Sequence, residues 1–338
     1  METIYLGGYT RQTNQGLHTL TLDDNGTVAD TKLIIEEVNP TYFAVSSDEQ
    51  HIYTLTEKDG HAGVAHYQKE DNQFVEVGRV SFLTANGCYL SLAEEDQLLF
   101  TANYHEGKLA VIKIEADGAL TLMNITSHVG HGPHENQDRP HCHFLAPTPD
   151  GKYLLSCDLG TDAVTTYALT DDYNLQKVDN YQTEPGSGAR HLAFHPTLPI
   201  VYLISELSYT VDILKYQNGS LSPVDRVATL ESVESFNSSS AIHVSSDGKF
   251  VYVSNRGSNT LSVLEISDQG QHLTLIQTIA SGGDFPRDFN FNHDESLLIV
   301  GHQKDDVITF FKRDAKTGQL EKLPQTASVS EIVCVQTV

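Results

Sequence analysis

The sequence predicts an all-β fold, a seven-bladed β-propeller with four antiparallel strands in each blade. Three observations carry this prediction: a strand-like run that recurs at near-constant intervals, a second run after each copy, and an incomplete copy at either end of the chain. A period of about 40–50 residues with several short strands per copy is typical of propeller blades. No linker or low-complexity tract interrupts the 338 residues, so we expect a single domain over residues 1–338.

The recurring run is a short apolar segment that follows a polar turn. The turns begin at Asp48, Glu95, Asp150, Thr197, Asp247 and Asp294, at intervals of 47, 55, 47, 50 and 47 residues. The runs themselves cover 52–55, 98–101, 153–156, 200–203, 250–253 and 297–300. Five intervals of such similar length indicate one structural unit repeated along the chain.

Each copy continues with a polar loop and a second run in which apolar and polar residues alternate. This period of two is typical of a strand with one buried face, and no helical period is sustained anywhere. An inner strand precedes each turn, at 42–46, 88–93, 142–146, 191–195, 241–245 and 287–291. With an outer strand after the second run, each copy has the four strands of a blade.

The two ends of the chain complement each other. The first copy, which begins at Tyr5, lacks an inner strand, and a strand-like segment without a blade lies at 331–335. We predict that the C-terminal strand pairs with the N-terminal blade and closes the ring, which removes exposed sheet edges. An open β-solenoid is the alternative, and the complementary ends disfavour it.

Composition excludes several partners. With 45 acidic and 21 basic side chains the net charge is −24, which argues against nucleic acid or an anionic membrane. No apolar run approaches the ~18 residues of a membrane span, and no export signal is visible at the start. The four cysteines form no C-x-x-C pair and are expected to be reduced thiols. We therefore expect a cytoplasmic monomer or weak homo-oligomer.

Arginine is distributed unevenly. Five of the eight arginines lie either in the links into inner strands or in the loops between middle strands, which share one face of a propeller: Arg11, Arg139, Arg190, Arg256 and Arg287. Because a guanidinium binds carboxylate and phosphate groups through two hydrogen bonds, this clustering favours a site for a small anion at that face. Salt bridges between neighbouring blades are the alternative.

Five segments carry a specific resemblance. They are GSGARHLAFHP at 186–196, SELSYTVDI at 205–213, PHCHFLAPTPDGKYL at 140–154, AIHVSSDGKFVYVSNR at 241–256 and FPRDFNFNHDESLLIVGHQ at 285–303. In these, and over essentially its whole length, the chain resembles the lactonase-type seven-bladed propellers, which include bacterial 6-phosphogluconolactonases and fungal carboxymuconate-cyclising enzymes. It differs at Ala189, Ser205 and Asp288, where the family usually has proline, asparagine and a small residue.

The resemblance implies a lactone hydrolase that needs no cofactor and no metal, with His143, Arg190 and Glu206 as its catalytic residues. An imidazole or a partly desolvated carboxylate can activate water, so His143 and Glu206 are alternatives for the general base. A fixed guanidinium can hold the oxyanion, the role expected of Arg190. The expected substrate-binding residues are His141, Tyr104, Arg256, Arg287 and Lys304. We expect His191 and His195 to serve packing.

The implied substrate is a small anionic sugar lactone, 6-phosphoglucono-1,5-lactone in the oxidative pentose phosphate pathway. Two alternatives remain open. One is another sugar lactone or a muconate-type cycloisomerisation, and the other is a propeller scaffold that binds a protein partner without catalysis. No G-x-S-x-G motif is present, and the G-x-G at 186–188 precedes no helical pattern, so neither a serine hydrolase nor a phosphate-cradling loop is indicated.

A histidine-rich stretch at 128–143 contains five histidines: His128, His131, His134, His141 and His143. Zinc or another transition metal is one interpretation. The spacing matches no standard zinc finger, and two glycines and two prolines within the stretch predict a loop rather than a helix. We therefore expect a solvated loop with two functional histidines at its end.

Overall fold

Seven four-stranded sheets make up the part of the chain that the structure, a computed structural model, describes: residues 1–232 and 236–337. All strand pairs whose registers are resolved are antiparallel. Within the described residues a 3₁₀ turn, Asp268–Gly270, is the only helical segment. The predicted fold class, an all-β propeller of seven blades with four antiparallel strands each, is confirmed.

Six sheets follow chain order, and in the remaining one the C-terminal strand lies next to the first strand. The first sheet contains β1 (Glu2–Gly8), β2 (Gly16–Leu22), β3 (Val28–Glu36) and the C-terminal strand β28 (Ile332–Thr337). The second contains β4 (Phe43–Val45), β5 (His51–Lys58), β6 (His61–Glu70) and β7 (Gln73–Leu83). The third contains β8 (Tyr89–Ala93), β9 (Leu98–Asn103), β10 (Lys108–Ile114) and β11 (Leu120–Ser127).

The remaining four sheets repeat this order. The fourth contains β12 (Cys142–Pro147), β13 (Leu154–Asp158), β14 (Ala163–Leu169) and β15 (Leu175–Gln182), and the fifth β16 (Ala189–Phe194), β17 (Ile200–Ser205), β18 (Thr210–Gln217) and β19 (Ser220–Ala228). The sixth contains β20 (Ser238–Val244), β21 (Phe250–Arg256), β22 (Thr260–Ser267) and β23 (His272–Ala280). The seventh contains β24 (Pro286–Phe291), β25 (Leu297–His302), β26 (Val307–Arg313) and β27 (Leu320–Ser328).

The closing strand pairs as predicted. β28 runs antiparallel to β1, from Ile4 opposite Thr337 to Gly8 opposite Ile332. A Cβ atom at Gly8 would lie 2.5 Å from the carbonyl oxygen of Glu331, so only glycine allows this close approach. Asp288, where the family pattern has a small residue, accepts a 2.9 Å hydrogen bond from the backbone N–H of Val335 in β28. This substitution therefore serves to hold the closing strand.

Sheets are buried more completely than the alternating pattern predicts. In β21, Tyr252 packs in a cluster with Phe289 of the seventh sheet, whereas its neighbour Val251 packs in another cluster with Ile204 of the fifth. A sheet covered on both faces needs apolar side chains on both, which explains why all residues of β21 are buried. In the next strand, β22, residues 261–264 are all buried. The expected alternation between more and less exposed side chains begins only at residue 265 of this strand.

The predicted inner strands are the first strands of six sheets, with small differences in their bounds. The largest difference is in β20, which begins at Ser238 rather than at residue 241. Its pairing with β21 shifts between Ser239 and Ile242, so the strand continues past a β-bulge. A bulge breaks the period of two on which the prediction depends.

Two compact units can be distinguished from the contacts between Cα atoms. The first unit comprises residues 1–33, 191–217 and 222–337, and the second comprises 34–190 and 218–221. The expectation of a single domain over 1–338 stays a prediction. Within the described residues, no helix has the length and apolar character that crossing a membrane requires.

Candidate active site

Three of the predicted site residues occupy the same position in their sheets. His143, Arg190 and Arg287 are each the second residue of a first strand, in β12, β16 and β24. The pairing of β12 with β13 shifts around His143, and the pairing of β24 with β25 shifts around Arg287. A bulge redirects the side chain of the extra residue, so the fold presents His143 and Arg287 through the same local irregularity.

Two histidines of the second unit, His141 and His143, lie against the ring of Tyr104. The ring of His141 stacks on Tyr104 with 4.1 Å between centroids and 14° between planes. The ring of His143 meets Tyr104 edge-on, at 5.9 Å and 77°. Both histidines are buried. The two ring contacts bring the predicted residues Tyr104, His141 and His143 together.

Hydrogen bonds fix the ring of His141. Nδ1 of His141 lies 2.8 Å from the carbonyl oxygen of Tyr104, and its Nε2 lies 3.2 Å from Oδ1 of Asp138. Because both ring nitrogens of His141 have partners, its ring is fixed in the stacked orientation. This arrangement favours a positioning role for His141.

Asp158 fixes the backbone that leads into β12. Its side chain is completely buried, and Oδ1 accepts hydrogen bonds from the N–H groups of His141 (2.7 Å) and Gly160 (2.9 Å). A Cβ atom at Gly160 would lie 1.9 Å from the carbonyl oxygen of Arg139. Only glycine at position 160 therefore allows the backbone of the link before β12 to approach so closely. Asp158 was not among the predicted site residues.

A partly buried histidine contacts the carboxylate of Asp158. Nδ1 of His128 lies 2.8 Å from Oδ2 of Asp158, and Nε2 lies 2.8 Å from the hydroxyl of Tyr167. Burial raises the pKa of the Asp158 carboxyl, but the hydrogen bonds from His128 and from the His141 N–H outweigh it, so the net shift is downward. Burial also raises the pKa of Tyr167 to about 12, which keeps its hydroxyl protonated.

The histidine-rich stretch is only partly the solvated loop that we expected. His131 is exposed, but His128 is only partly exposed and packs against Asp158. Within the described residues one group of three potential metal ligands occurs, in which donor atoms of His128, Cys142 and Asp158 lie within 4.8 Å of one another. Both ring nitrogens of His128 are hydrogen-bonded and burial raises the pKa of the Cys142 thiol, so these contacts fit a hydrogen-bonded cluster.

Polar residues equivalent to Asp158 recur at the ends of other second strands. Asn103 donates to the carbonyl oxygens of Ala85 and Asn86 in the link before β8. Asn255 accepts a 2.8 Å hydrogen bond from Ser239, and Nε2 of His302 lies 3.2 Å from the hydroxyl oxygen of Ser281 in the link before β24. These buried residues pin the links that carry the candidate site residues. The signal was present in the sequence, because Asn103, Asp158, Asn255 and His302 each occupy the second position of their polar loop.

Arg190 is one of the largest fully buried side chains of the protein, with 2% of its surface exposed. Its charge acts on the Cys157 thiol, whose pKa burial raises and Arg190 partly lowers. A buried guanidinium has no alternative water contacts and is held in one orientation by its surroundings. Such fixation is what holding an oxyanion requires.

Glu206 and Arg256 form an ion pair in the first unit, with 2.7 Å between Oε2 and Nη2. The guanidinium of Arg256 also donates to Oγ and the carbonyl oxygen of Ser238 and to the carbonyl oxygen of Ser239. Burial lowers the pKa of Arg256 and Glu206 opposes this shift, while the charge of nearby Arg287 adds to it. Glu206 is thus positioned to stabilise the charge of Arg256.

Two aromatic rings accompany the other cations of the first unit. Nη1 of Arg287 donates to the hydroxyl of Tyr9 (3.2 Å) and to Oε1 of Gln303 (3.0 Å). Nζ of Lys304 lies 3.9 Å from the centroid of the Phe285 ring, and the Arg256 guanidinium carbon lies 5.4 Å from it. Tyr9, Gln303 and Phe285 were not among the predicted residues, because neutral side chains in loops carry no signal in one sequence.

The eight predicted site residues thus fall into two groups. Tyr104, His141, His143 and Arg190 lie in the second unit, and Glu206, Arg256, Arg287 and Lys304 lie in the first. His195 is buried, and its Nδ1 accepts hydrogen bonds from the N–H groups of Thr197 and Leu198. This agrees with the packing role expected of His195.

We expect Asp158→Asn to lower the free energy of unfolding by about 1.5–3 kcal/mol, because it removes a buried carboxylate that is hydrogen-bonded to His128 and to two backbone N–H groups. Chemical denaturation would measure this. Since the folded-state pKa of Asp158 is depressed, the loss should be complete above pH ~4 and should shrink as the pH falls. The exposed Asp172→Asn is the matched control.

The same pair can be tested by a double-mutant cycle. If His128 and Asp158 stabilise each other, His128→Gln should cost much less in the Asp158→Asn background than in the wild type. Additive losses would show that the two side chains act independently.

Comparison with known proteins places this architecture in a family. The family model described as Lactonase, 7-bladed beta-propeller, matches residues 3–337. A Bacillus subtilis protein named 6-phosphogluconolactonase is 35% identical over 343 residues, covering 98% of this chain and 97% of that protein. A crystal structure of a Lactobacillus plantarum protein is 38% identical with a TM-score of 0.95, covering 100% of this chain and 99% of that one.

A second solved structure is that of the periplasmic gluconolactonase of Pseudomonas aeruginosa. It is 28% identical with a TM-score of 0.93, and the match covers 100% of this chain and 99% of that one. The family model spans nearly all of the sequence, as we expected from the resemblance of the sequence motifs to those of this family. The chain therefore belongs to the Lactonase family of seven-bladed β-propellers.

Proposed function

We propose that the protein is a lactone hydrolase that converts 6-phosphoglucono-1,5-lactone to 6-phosphogluconate. The observation that carries the proposal is that the second unit contains both the buried Arg190 and the buried His143, the latter at a β-bulge. These are the two groups that lactone opening needs, a base for water and a fixed positive charge for the oxyanion. The named B. subtilis relative supports the choice of substrate.

The reaction follows from these roles. The imidazole of His143 takes a proton from a water molecule as the water oxygen attacks the lactone carbonyl carbon. The carbonyl oxygen becomes an oxyanion, which the guanidinium of Arg190 stabilises. When this intermediate collapses, the bond between the carbonyl carbon and the ring oxygen breaks, and the imidazolium returns its proton to the ring oxygen. The products are a hydroxyl group and a carboxylic acid, which ionises.

The other predicted residues take supporting roles. We assign His141 and Tyr104 to orienting His143 and the sugar, because the stacked pair is fixed by hydrogen bonds. Arg256, Arg287 and Lys304 are the proposed partners of an anionic substrate group. We assign Glu206 to holding Arg256, since its carboxylate already forms the 2.7 Å ion pair.

Lactone consumption by the purified protein tests the proposal directly. The rate should exceed spontaneous hydrolysis of 6-phosphoglucono-1,5-lactone and should be proportional to the protein concentration. An unchanged rate at every concentration would reject 6-phosphoglucono-1,5-lactone as the substrate, and an unchanged rate with unphosphorylated lactones as well would favour a non-catalytic binding scaffold.

A hydrolase of unphosphorylated sugar lactones is the second candidate, and the similarity to the P. aeruginosa gluconolactonase favours it. Comparing kcat/KM for glucono-1,5-lactone and its 6-phosphate separates the two candidates. Turnover of a muconate lactone instead of both would indicate a cycloisomerase. A cytoplasmic location and a monomeric or weakly associated state stay predictions.

A further inference from the structure

The arginines that lie outside the two predicted sets of loops form ion pairs with carboxylates. Three arginines outside the loop set form ion pairs, namely Arg79 with Glu37, Arg226 with Asp212, and Arg313 with Glu295. Arg11 and Lys304 differ from these. Both are exposed, and neither forms an ion pair with any residue in the described ranges.

Instead, both cations lie over aromatic rings. The guanidinium carbon of Arg11 lies 3.9 Å from the centroid of Tyr9, and Nζ of Lys304 lies 3.9 Å from the centroid of Phe285. Arg287 approaches the same Tyr9 ring at 5.7 Å and donates to its hydroxyl. An aromatic face attracts a cation without neutralising its charge, so the cations remain able to bind an anion.

The backbone holds these rings at a conformational cost. Phe285 has a φ of 66°, a value that bulky residues rarely adopt, and it precedes Pro286, which further disfavours this conformation. Its N–H donates to Oδ1 of Asn259 (3.0 Å), and its carbonyl oxygen accepts from the N–H of Gln303 (3.0 Å). Strain that the surroundings maintain in this way is typical of functional sites.

Gln303 connects the two rings. Its side-chain oxygen accepts the hydrogen bond from Arg287, which contacts Tyr9, and its N–H holds Phe285. The next residue is Lys304. Tyr9, Phe285 and Gln303 therefore form one neutral framework on which Arg11, Arg287 and Lys304 are mounted.

We propose that Arg11, Arg287 and Lys304, mounted on Tyr9 and Phe285, form a binding site for a phosphate dianion. Two guanidinium forks and an ammonium group match the oxygens and the charge of a phosphate ester. A long polyanion does not fit, because the rest of the chain would repel it. The phosphate is either that of the substrate or that of a separate ligand, and the first alternative rests on the proposed function.

Calorimetric titration of the full chain with inorganic phosphate, at matched ionic strength against sodium chloride, tests the site itself. Arg11→Gln and Lys304→Gln should each weaken phosphate binding by about tenfold or more, the usual effect of losing a charged hydrogen-bond donor. Lys316→Gln, an exposed lysine in the loop after β26, should leave binding unchanged. Unfolding curves of all variants verify that they fold.

The kinetics of the same variants identify the source of the phosphate. If it belongs to the substrate, Arg11→Gln and Lys304→Gln should lower kcat/KM for 6-phosphoglucono-1,5-lactone about tenfold and leave that for glucono-1,5-lactone unchanged. If it is a separate ligand, phosphate should bind without competing with the lactone. Both results support the site. Phosphate heats equal to those of chloride, or the same affinity in all variants, would overturn it even if lactone hydrolysis is observed.

Discussion

Replacing Arg190 by alanine should lower kcat for lactone hydrolysis by about 10²–10³, the typical effect of removing one oxyanion donor. Arg190 is 2% exposed, so water cannot take the place of its guanidinium without a rearrangement of the surroundings. Arg190 is the second residue of β16, and His143 and Arg287 occupy the same position in the first strands of their own sheets. Steady-state kinetics with the phosphorylated lactone would measure the loss.

The division of the effect between kcat and KM is the informative part. An interaction made only in the transition state lowers kcat and kcat/KM equally, whereas uniform substrate binding raises KM alone. We expect Arg190→Lys to retain the positive charge but lose the planar fork, and so to fall between wild type and Arg190→Ala in kcat. An increase in KM with unchanged kcat would show that Arg190 binds the ground state and does not hold the oxyanion.

A folding defect could imitate this result, because Arg190 is buried. Removing a buried charge changes the surroundings of Cys157, on which Arg190 acts. Arg190→Met fills a similar volume without charge and serves as the matched control. If Arg190→Met unfolds at the wild-type temperature and shows the same loss of kcat as Arg190→Ala, the loss is chemical.

The fold could be predicted because each blade repeats one simple pattern. Apolar runs that follow a polar turn at similar intervals fix the number of blades, and the half-blades at the two ends fix the pairing of β1 with β28. The pattern is less informative about burial. The second strands are covered on both faces, so that β21 is buried at every position and does not alternate.

The candidate site was predictable only in part. His143 and Arg190 carry chemistry that the motifs display, but the role of Asp158 depends on hydrogen bonds to His141 and Gly160 that no single motif records. The assignment of His141 likewise depends on the partners of its two ring nitrogens. Bulges such as that at His143 interrupt the strand period, so the sequence pattern is weakest where the site lies.

His143→Gln should remove the base and lower kcat by about 10²–10⁴, the usual contribution of general acid–base catalysis. The wild-type kcat should rise with pH as an imidazole loses its proton, and this limb should be absent from the variant because glutamine does not titrate. A pH profile of kcat separates this role from a structural one. His131→Gln, on the exposed part of the same histidine-rich stretch, is the matched control and should retain full activity.

Glu206→Gln decides between the two alternatives for the base. Because Glu206 forms an ion pair with Arg256, we expect its loss to act on substrate binding through Arg256, with a raised KM and a pH profile like that of the wild type. If Glu206→Gln instead abolishes the pH-dependent limb while His143→Gln retains it, Glu206 is the base. In that case the ion pair with Arg256 must open during the reaction, since a carboxylate held by a guanidinium is a poor acceptor for the proton of water.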